Sequence, residues 1–277
     1  MQVNADRNAI LGCLSGADRE LLRPSLQPID LPVRFRLAEA GRAIDAVYFL
    51  ETGIASITTS VRHEVPIEIG IVGREGVVNL PVLMGVDHSP SETFMQIHGA
   101  GFRLGVERLR TAMAQSPTLT PILLRFVHVY MVQTASTVLA NGRGRIPERL
   151  ARWLLMARDR VDGEGVALTH DFLATMLGVR RPGVTLALRD FERRGLIDGA
   201  RGVITILDRG ALVAAANGTT APPKRSSHAC SPAERAWSGF IPTATLSSAA
   251  LWLTMHRLPC GSGASGVGRV RDGYEHR

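Results

Sequence analysis

The stretch Leu168–Ile197 (LTHDFLATMLGVRRPGVTLALRDFERRGLI) constrains the fold more than any other part of the chain. Phe172, Leu173, Met176 and Leu177 share a face at helical spacing, and Thr169 stands where an N-cap belongs. Gly178 then supplies a permissive turn. A second amphipathic pattern comes next, with Val184, Leu186, Leu188 and Phe191 as its apolar set. Arg180 and Arg181 lie at its front, and Pro182 falls in its first turn, where a missing N–H costs little. Two short helices joined by a glycine turn spell a helix-turn-helix, the arginine-bearing end of the second aimed at a major groove. A helical hairpin in an ordinary core would carry the same pattern, so the flanking sequence has to decide.

The residues C-terminal to this stretch favour nucleic acid. Gly195-Leu196-Ile197 and Val203–Leu207 are β-prone runs about the turn Asp198–Gly202, which together make a wing with Arg201 at its tip as a phosphate contact. Charge steps at the same place. Residues 1–140 hold 12 Lys and Arg against 13 Asp and Glu, residues 141–217 hold 13 against 9, and residues 218–277 hold 7 against 3. The basic excess thus begins where the helix-turn-helix half begins.

Ahead of this half the texture changes twice. Ile10, Leu11, Leu14, Leu21, Leu22 and Leu26 make short amphipathic helices around a break at Ser15-Gly16-Ala17-Asp18. From Ile29 to Gly105, Val-, Ile- and Thr-rich runs at 46–50, 54–59, 67–72 and 93–98 fit strands of a small antiparallel barrel or roll. Thr52-Gly53 and Gly99-Ala100-Gly101 are read as turns. A long helix opens at Pro117 and Pro121, with the stripe Leu119, Ile122, Phe126, Val129 and Tyr130 continuing through Gln133, Ser136 and Ala140. Such a stripe between two domains predicts packing on a partner helix. Asn141-Gly142-Arg143-Gly144 is the expected hinge, and a further amphipathic helix from Ile146 to about Val161 turns Leu150, Trp153, Leu154 and Ala157 inward.

In this order the chain resembles the Crp/Fnr superfamily of bacterial transcription regulators. The matching residues are Gly144-Arg145-Ile146 with Leu150 and Leu154, Leu168-Thr169, Leu177 to Arg181, Val184, Leu188, Gly195-Leu196-Ile197 and the Gly202–Leu207 strand. The resemblance implies an α+β fold: a cyclic-nucleotide-binding-like β-roll sensor over 1–116, a dimerisation helix and hinge over 117–142, and a winged helix-turn-helix over 143–217. It implies a cytoplasmic homodimer on a two-fold symmetric operator of double-stranded DNA, with half-sites ~34 Å apart and RNA polymerase as a further partner. By position Arg181 falls on the arginine that reads guanine, a contact contributing about 1–3 kcal/mol of discrimination. The next family position is often glutamate; here Pro182-Gly183 stands there, so the operator should differ. Arg180, Thr169, Thr185 and Arg189 are secondary DNA-binding candidates, with Thr185 placed on the exposed face and Arg189, Arg193 and Arg194 assigned to phosphates or solvent.

The sensor half departs from the family. Cyclic-nucleotide binders use a Gly-Glu pair for the ribose and a later Arg beside Ser or Thr for the phosphate. Gly73, Glu75 and Gly76 are candidate effector contacts, with Glu75 in the ribose role, but Ser89-Pro90-Ser91-Glu92-Thr93 offers no arginine, and Glu92 repels an anion. Tight cyclic AMP binding is therefore not expected, and sub-micromolar affinity by calorimetry would refute this. The effector is an unknown small molecule or none.

No cofactor or metal is expected. Cys13 stands far from Cys230 and Cys260, too few for an iron–sulfur cluster, and His63, His88 and His98 read as polar surface rather than haem ligands. No nucleophile elbow, phosphate loop or zinc helix is present, so the chain is read as no enzyme. The rivals are a cupin-like metal enzyme, for which His63-Glu64 lacks partners, and a module that keeps the fold without binding DNA. Polar Met1–Ala9 predicts no signal peptide, and Phe240–Met255, broken by Pro242, falls short of a membrane span. Residues 218–277 change character abruptly to Ser, Ala, Gly, Pro and Thr and hold the sole lysine, Lys224. They read as a disordered tail and, since the family-like Asn217-Gly218-Thr219 ends at once in foreign sequence, as the product of a frameshift near Thr219.

Overall fold

The Val- and Ile-rich runs form two four-stranded antiparallel sheets in the computed structural model, which describes residues 7–60, 66–163, 165–200 and 202–216. The strands are β1 (Gln27–Leu31), β2 (Arg36–Ala38), β3 (Ala46–Leu50), β4 (Ile54–Thr59), β5 (Ile67–Val72), β6 (Val77–Val78), β7 (Glu92–Ile97) and β8 (Gly99–Gly105). One sheet has the order β1-β8-β3-β6 and the other β2-β7-β4-β5. Phe49, Leu50, Met95, Leu104 and Leu31 fill the space between them and are almost wholly buried. Two asparagines tie loops to this core: Asn8 donates to the Leu50 and Gly76 carbonyls at 2.8 Å each, and Asn79 to those of Leu37 and Ala46 at 2.9 and 2.7 Å.

The stretch read as a turn at Gly99–Gly101 is instead the start of β8, which pairs β1 on one side and β3 on the other. Its glycines are there for proximity. A Cβ at Gly99 would lie 2.1 Å from the Thr52 carbonyl oxygen and one at Gly101 2.2 Å from that of Phe49. Glycine inside a strand often marks such close backbone approach.

Helices α1 (Ala9–Cys13) and α2 (Gly16–Leu22), the latter capped by Ser15, cover one end of the roll with α3 (Val106–Gln115). Helix α4 (Leu119–Arg143) comes next and runs on through Asn141 and Gly142, breaking only at Gly144. One helical glycine costs about 1 kcal/mol, which continued backbone bonding in the last turn outweighs. The predicted stripe of α4 meets its own roll: Leu119 and Phe126 belong to the roll core with Ile122 and Tyr130 against it. Gln133 continues that face, its amide donating to the Ile71 carbonyl at 2.9 Å. A different face is exposed and apolar. Leu124, Met131 and Val138 are 43%, 63% and 65% exposed at seven-residue spacing.

The C-terminal half comprises α5 (Ile146–Arg158), β9 (Gly165–Ala167), α6 (His170–Leu177), α7 (Arg181–Arg193), β10 (Ile197–Ala200), β11 (Val203–Ile206) and α8 (Arg209–Ala215). Leu150, Trp153, Leu154 and Ala157 of α5 are buried as expected, packed with Leu173, Leu177, Val184, Leu188 and Phe191. Strands β10 and β11 pair as the wing, and β9, which periodicity does not reveal in three residues, adds to β11. This core includes Ile54 and Ile71 of the roll. The α+β architecture of β-roll, long helix and winged helix-turn-helix expected from the sequence is present. The tail from residue 218 onward, with Cys230 and Cys260, lies outside the described residues, as does His63.

Candidate nucleic-acid interface

Local chemistry sets the two helices at a fixed angle. The Thr169 hydroxyl accepts from the Phe172 N–H at 3.2 Å, capping α6. Gly178 closes the helix in the left-handed region at φ 60. Arg149 of α5 donates to the Leu177 carbonyl at this end. Helix α7 then begins at Arg181 with Pro182 in its first turn. Gly183 lets this turn close on α5, since a Cβ there would stand 2.8 Å from Ile146 Cδ1. Thus Gly183 has a packing role, and Pro182 beside it stands on the exposed face of α7.

Val184, Ala187, Leu188 and Phe191 are buried, which leaves Arg181, Pro182, Leu186 and Arg189 exposed along one side of α7 with Arg180 just ahead. Leu186, counted in the apolar set by periodicity, is 66% exposed. It lies three to four residues from Pro182 and Arg189, on the solvent face, where its spacing from Val184 could not put it inside. Thr185 departs from its expected exposure. It is half-buried, its hydroxyl 3.0 Å from His170 Nδ1, so it braces the two helices against one another. Arg181 Nε lies 3.4 Å from Asp171 Oδ1, a largely exposed pair that holds little energy and releases the guanidinium easily. The wing turn contains Gly202 at φ 78, while Arg201 lies outside the described residues.

The candidate effector residues take part in a junction between the halves. Glu75 Oε1 accepts from Arg160 Nε at 2.6 Å and from the Gly73 N–H at 3.1 Å, with both side chains of the ion pair almost fully buried. Arg160 also donates to the Met156 carbonyl at 2.9 Å. A Cβ at Gly73 would meet Arg160 Cγ at 2.9 Å, and one at Gly76 would overlap the Phe126 ring at 2.0 Å. A Cβ at Gly70 would likewise lie 2.6 Å from the Tyr130 hydroxyl. Side chains of α4 therefore fill the space left by two roll glycines.

A second buried carboxylate, Glu68 of β5, accepts from Trp153 Nε1 and from the Ser56 hydroxyl, each at 2.6 Å. Burial pushes its pKa up to about 7, against the lowering influence of Ser56, Trp153 and the nearby Arg152 and Arg160. Arg152 is itself buried and pushed down to about 10, by burial first and by Arg160 second. Because the folded pKa of Glu68 exceeds its ordinary 4.5, the protonated form favours folding. Its contribution is complete below about pH 4.5 and is lost as pH rises through about 7, a change on the order of 3 kcal/mol. Urea unfolding across that range should show wild type losing stability relative to Glu68→Gln as pH rises; parallel curves would refute this placement. Neither Glu68 nor Arg160 carries a motif, and a buried carboxylate in a strand is the only available signal.

Among the described residues no three of His, Cys, Asp and Glu gather as a metal site. The Crp-like helix-turn-helix domain family matches residues 148–215, the region that holds α6, α7 and the wing. Over those residues the chain carries a Crp-like helix-turn-helix domain.

Its sequence is 26% identical over 199 residues to the CRP-like cAMP-activated global transcriptional regulator of Mycobacterium tuberculosis, covering 64% of this chain and 82% of that protein. Solved structures of other regulators share the fold. TTHB099 of Thermus thermophilus superposes with a TM-score of 0.57 at 19% identity, over 69% of this chain and 96% of its own. FixK2 of Bradyrhizobium japonicum gives 0.59 at 15% identity, over 68% and 95%. The c-di-GMP responsive regulator CLP of Xanthomonas campestris gives 0.58 at 13%, over 70% and 100%.

Proposed function

We propose that this Crp/Fnr-type transcriptional regulator binds a two-fold symmetric operator as a homodimer, without using cyclic AMP and without enzymatic activity. The observation that carries the reading is the α7 face: Arg180, Arg181 and Arg189 exposed on a helix whose other side is locked into a winged core. Basic side chains at the front of a recognition helix meet phosphates and guanine edges in the major groove. Leu186 between them is suited to a thymine methyl, which the arginines are not.

Dimerisation is supported by α4. Among the described residues it is the helix long and apolar enough to cross a membrane by length and composition, yet one face is spent on the roll. The exposed Leu124, Met131 and Val138 repeat every seven residues, the interval of a two-helix seam. A second copy of α4 covers that seam and places the two α7 helices for half-sites ~34 Å apart.

The relatives whose names give cAMP or c-di-GMP responsiveness set the expectation for an effector, and this chain departs from it. Phe126 and Tyr130 occupy the roll beside Gly76 and Gly70, and Glu75 is committed to Arg160. RNA polymerase contact and a cytoplasmic setting accompany the family reading. Arg181→Ala should relax preference at one base pair per half-site by about 1–3 kcal/mol, measured by anisotropy on operator variants at fixed salt. Arg201→Ala should weaken all sequences alike. A uniform loss from Arg181→Ala would remove it from base reading.

A further inference from the structure

A cleft of about 910 Å³ lies between the outer face of the β2–β7 pair and the start of the helix-turn-helix. Small-molecule sites of this size favour such junctions. Phe94 and Gln96 of β7 line the sheet side, Phe172, Thr175 and Met176 of α6 line the other, and Arg34 also borders it. Both phenylalanines are half-buried, so each keeps surface open toward solvent.

Two features mark the cleft as a site rather than a packing gap. Gln96 is 4% exposed, and neither its amide nitrogen nor its amide oxygen has a partner among the described residues. Most buried amides in folded proteins are satisfied on at least one atom, and this one, open on both, is equipped to donate one hydrogen bond and accept another. Arg34 is held in the left-handed region at φ 70, uncommon for any residue but glycine, by its N–H to the Met95 carbonyl at 2.7 Å. Neighbouring Arg36 pairs with Glu39, whereas Arg34 is exposed and has no carboxylate partner among the described residues. Strain of this kind, kept at a cationic residue beside an unsatisfied amide, is typical of a ligand clamp.

We propose that this cleft binds a small aromatic carboxylate with a phenolic hydroxyl at the far end of the ring. The hydroxyl both donates to and accepts from the buried Gln96 amide, the ring lies among Phe94, Phe172 and Met176, and the carboxylate meets the exposed Arg34. Hydroxyl and carboxylate belong at opposite ends because one partner is buried and the other stands in solvent. A ligand there touches the roll and the first helix of the DNA-binding half together, the contact through which occupancy can bias one by the other.

The test is calorimetric titration of the full chain, free of DNA, with 4-hydroxybenzoate. Saturable binding at one site per chain is expected, at least tenfold weaker for benzoate, which lacks the hydroxyl, and for phenol, which lacks the carboxylate. Gln96→Leu and Arg34→Ala should each weaken 4-hydroxybenzoate at least tenfold, and Arg34→Ala, an exposed change, keeps the test open if the core variant misfolds. No saturable heat at millimolar ligand, or affinity unchanged by Arg34→Ala, overturns the proposal. Since no DNA is present, either result leaves the DNA-binding reading to its own experiments.

Discussion

Arg160→Ala lowers the unfolding free energy by about 3–5 kcal/mol, the usual cost of stranding one member of a buried ion pair. Among the described residues Glu75 would keep only the Gly73 N–H on Oε1, and its Oε2 already has no partner there. The two residues lie 85 positions apart, so the pair fastens the turn after β5 to the end of α5. Urea unfolding followed by circular dichroism measures the loss. The paired change Glu75→Leu with Arg160→Met should recover most of it, because replacing both charges by apolar groups removes the desolvation cost as well as the attraction. A loss under about 1 kcal/mol from Arg160→Ala would mean that the pair is solvated, as exposed pairs are.

Met131→Asp with Val138→Asp should abolish the proposed dimer. Each apolar side chain buried in the seam contributes roughly 1.5–3 kcal/mol, and each chain supplies two of them. The dissociation constant should therefore rise by about a thousandfold or more, before counting the cost of burying four carboxylates. Sedimentation equilibrium reads this directly. Both positions are more than half exposed in the single chain, so the monomer itself should unfold at its former midpoint. Operator affinity should collapse with the dimer, since two half-sites can no longer be held by one particle. A double variant that remains dimeric would move the interface elsewhere.

The parts legible in the sequence are those written in short-range periodicity. Thr169, Gly178 and Pro182 mark the caps of α6 and α7 by residue type alone, and four strands of the roll emerge from alternating β-branched runs. Gly99–Gly101 reads as a turn because a strand glycine needed for close approach looks the same as a turn glycine until the facing backbone is known. The apolar stripe of α4 is visible, but which of its faces meets the roll is decided by tertiary packing: Phe126 and Tyr130 go inward and Leu124, Met131 and Val138 stay out. Leu186 stays out because it lies two residues from buried Val184, a spacing that puts it on another helix face, and Thr185 is half-buried through a contact with His170 on the other helix. The Glu75–Arg160 and Glu68–Trp153 contacts join residues 85 positions apart and leave no local trace.

Selection of bound DNA from a random pool, at one stated salt concentration, reads operator symmetry and the Arg181 contact together. The enriched sequence should be an inverted repeat with half-sites ~34 Å apart, centre to centre, each with a guanine that Arg181→Ala makes indifferent. The half-sites should also be unlike those of relatives with glutamate where Pro182 stands. A direct repeat, a single half-site or no enriched sequence would contradict the proposed two-fold operator.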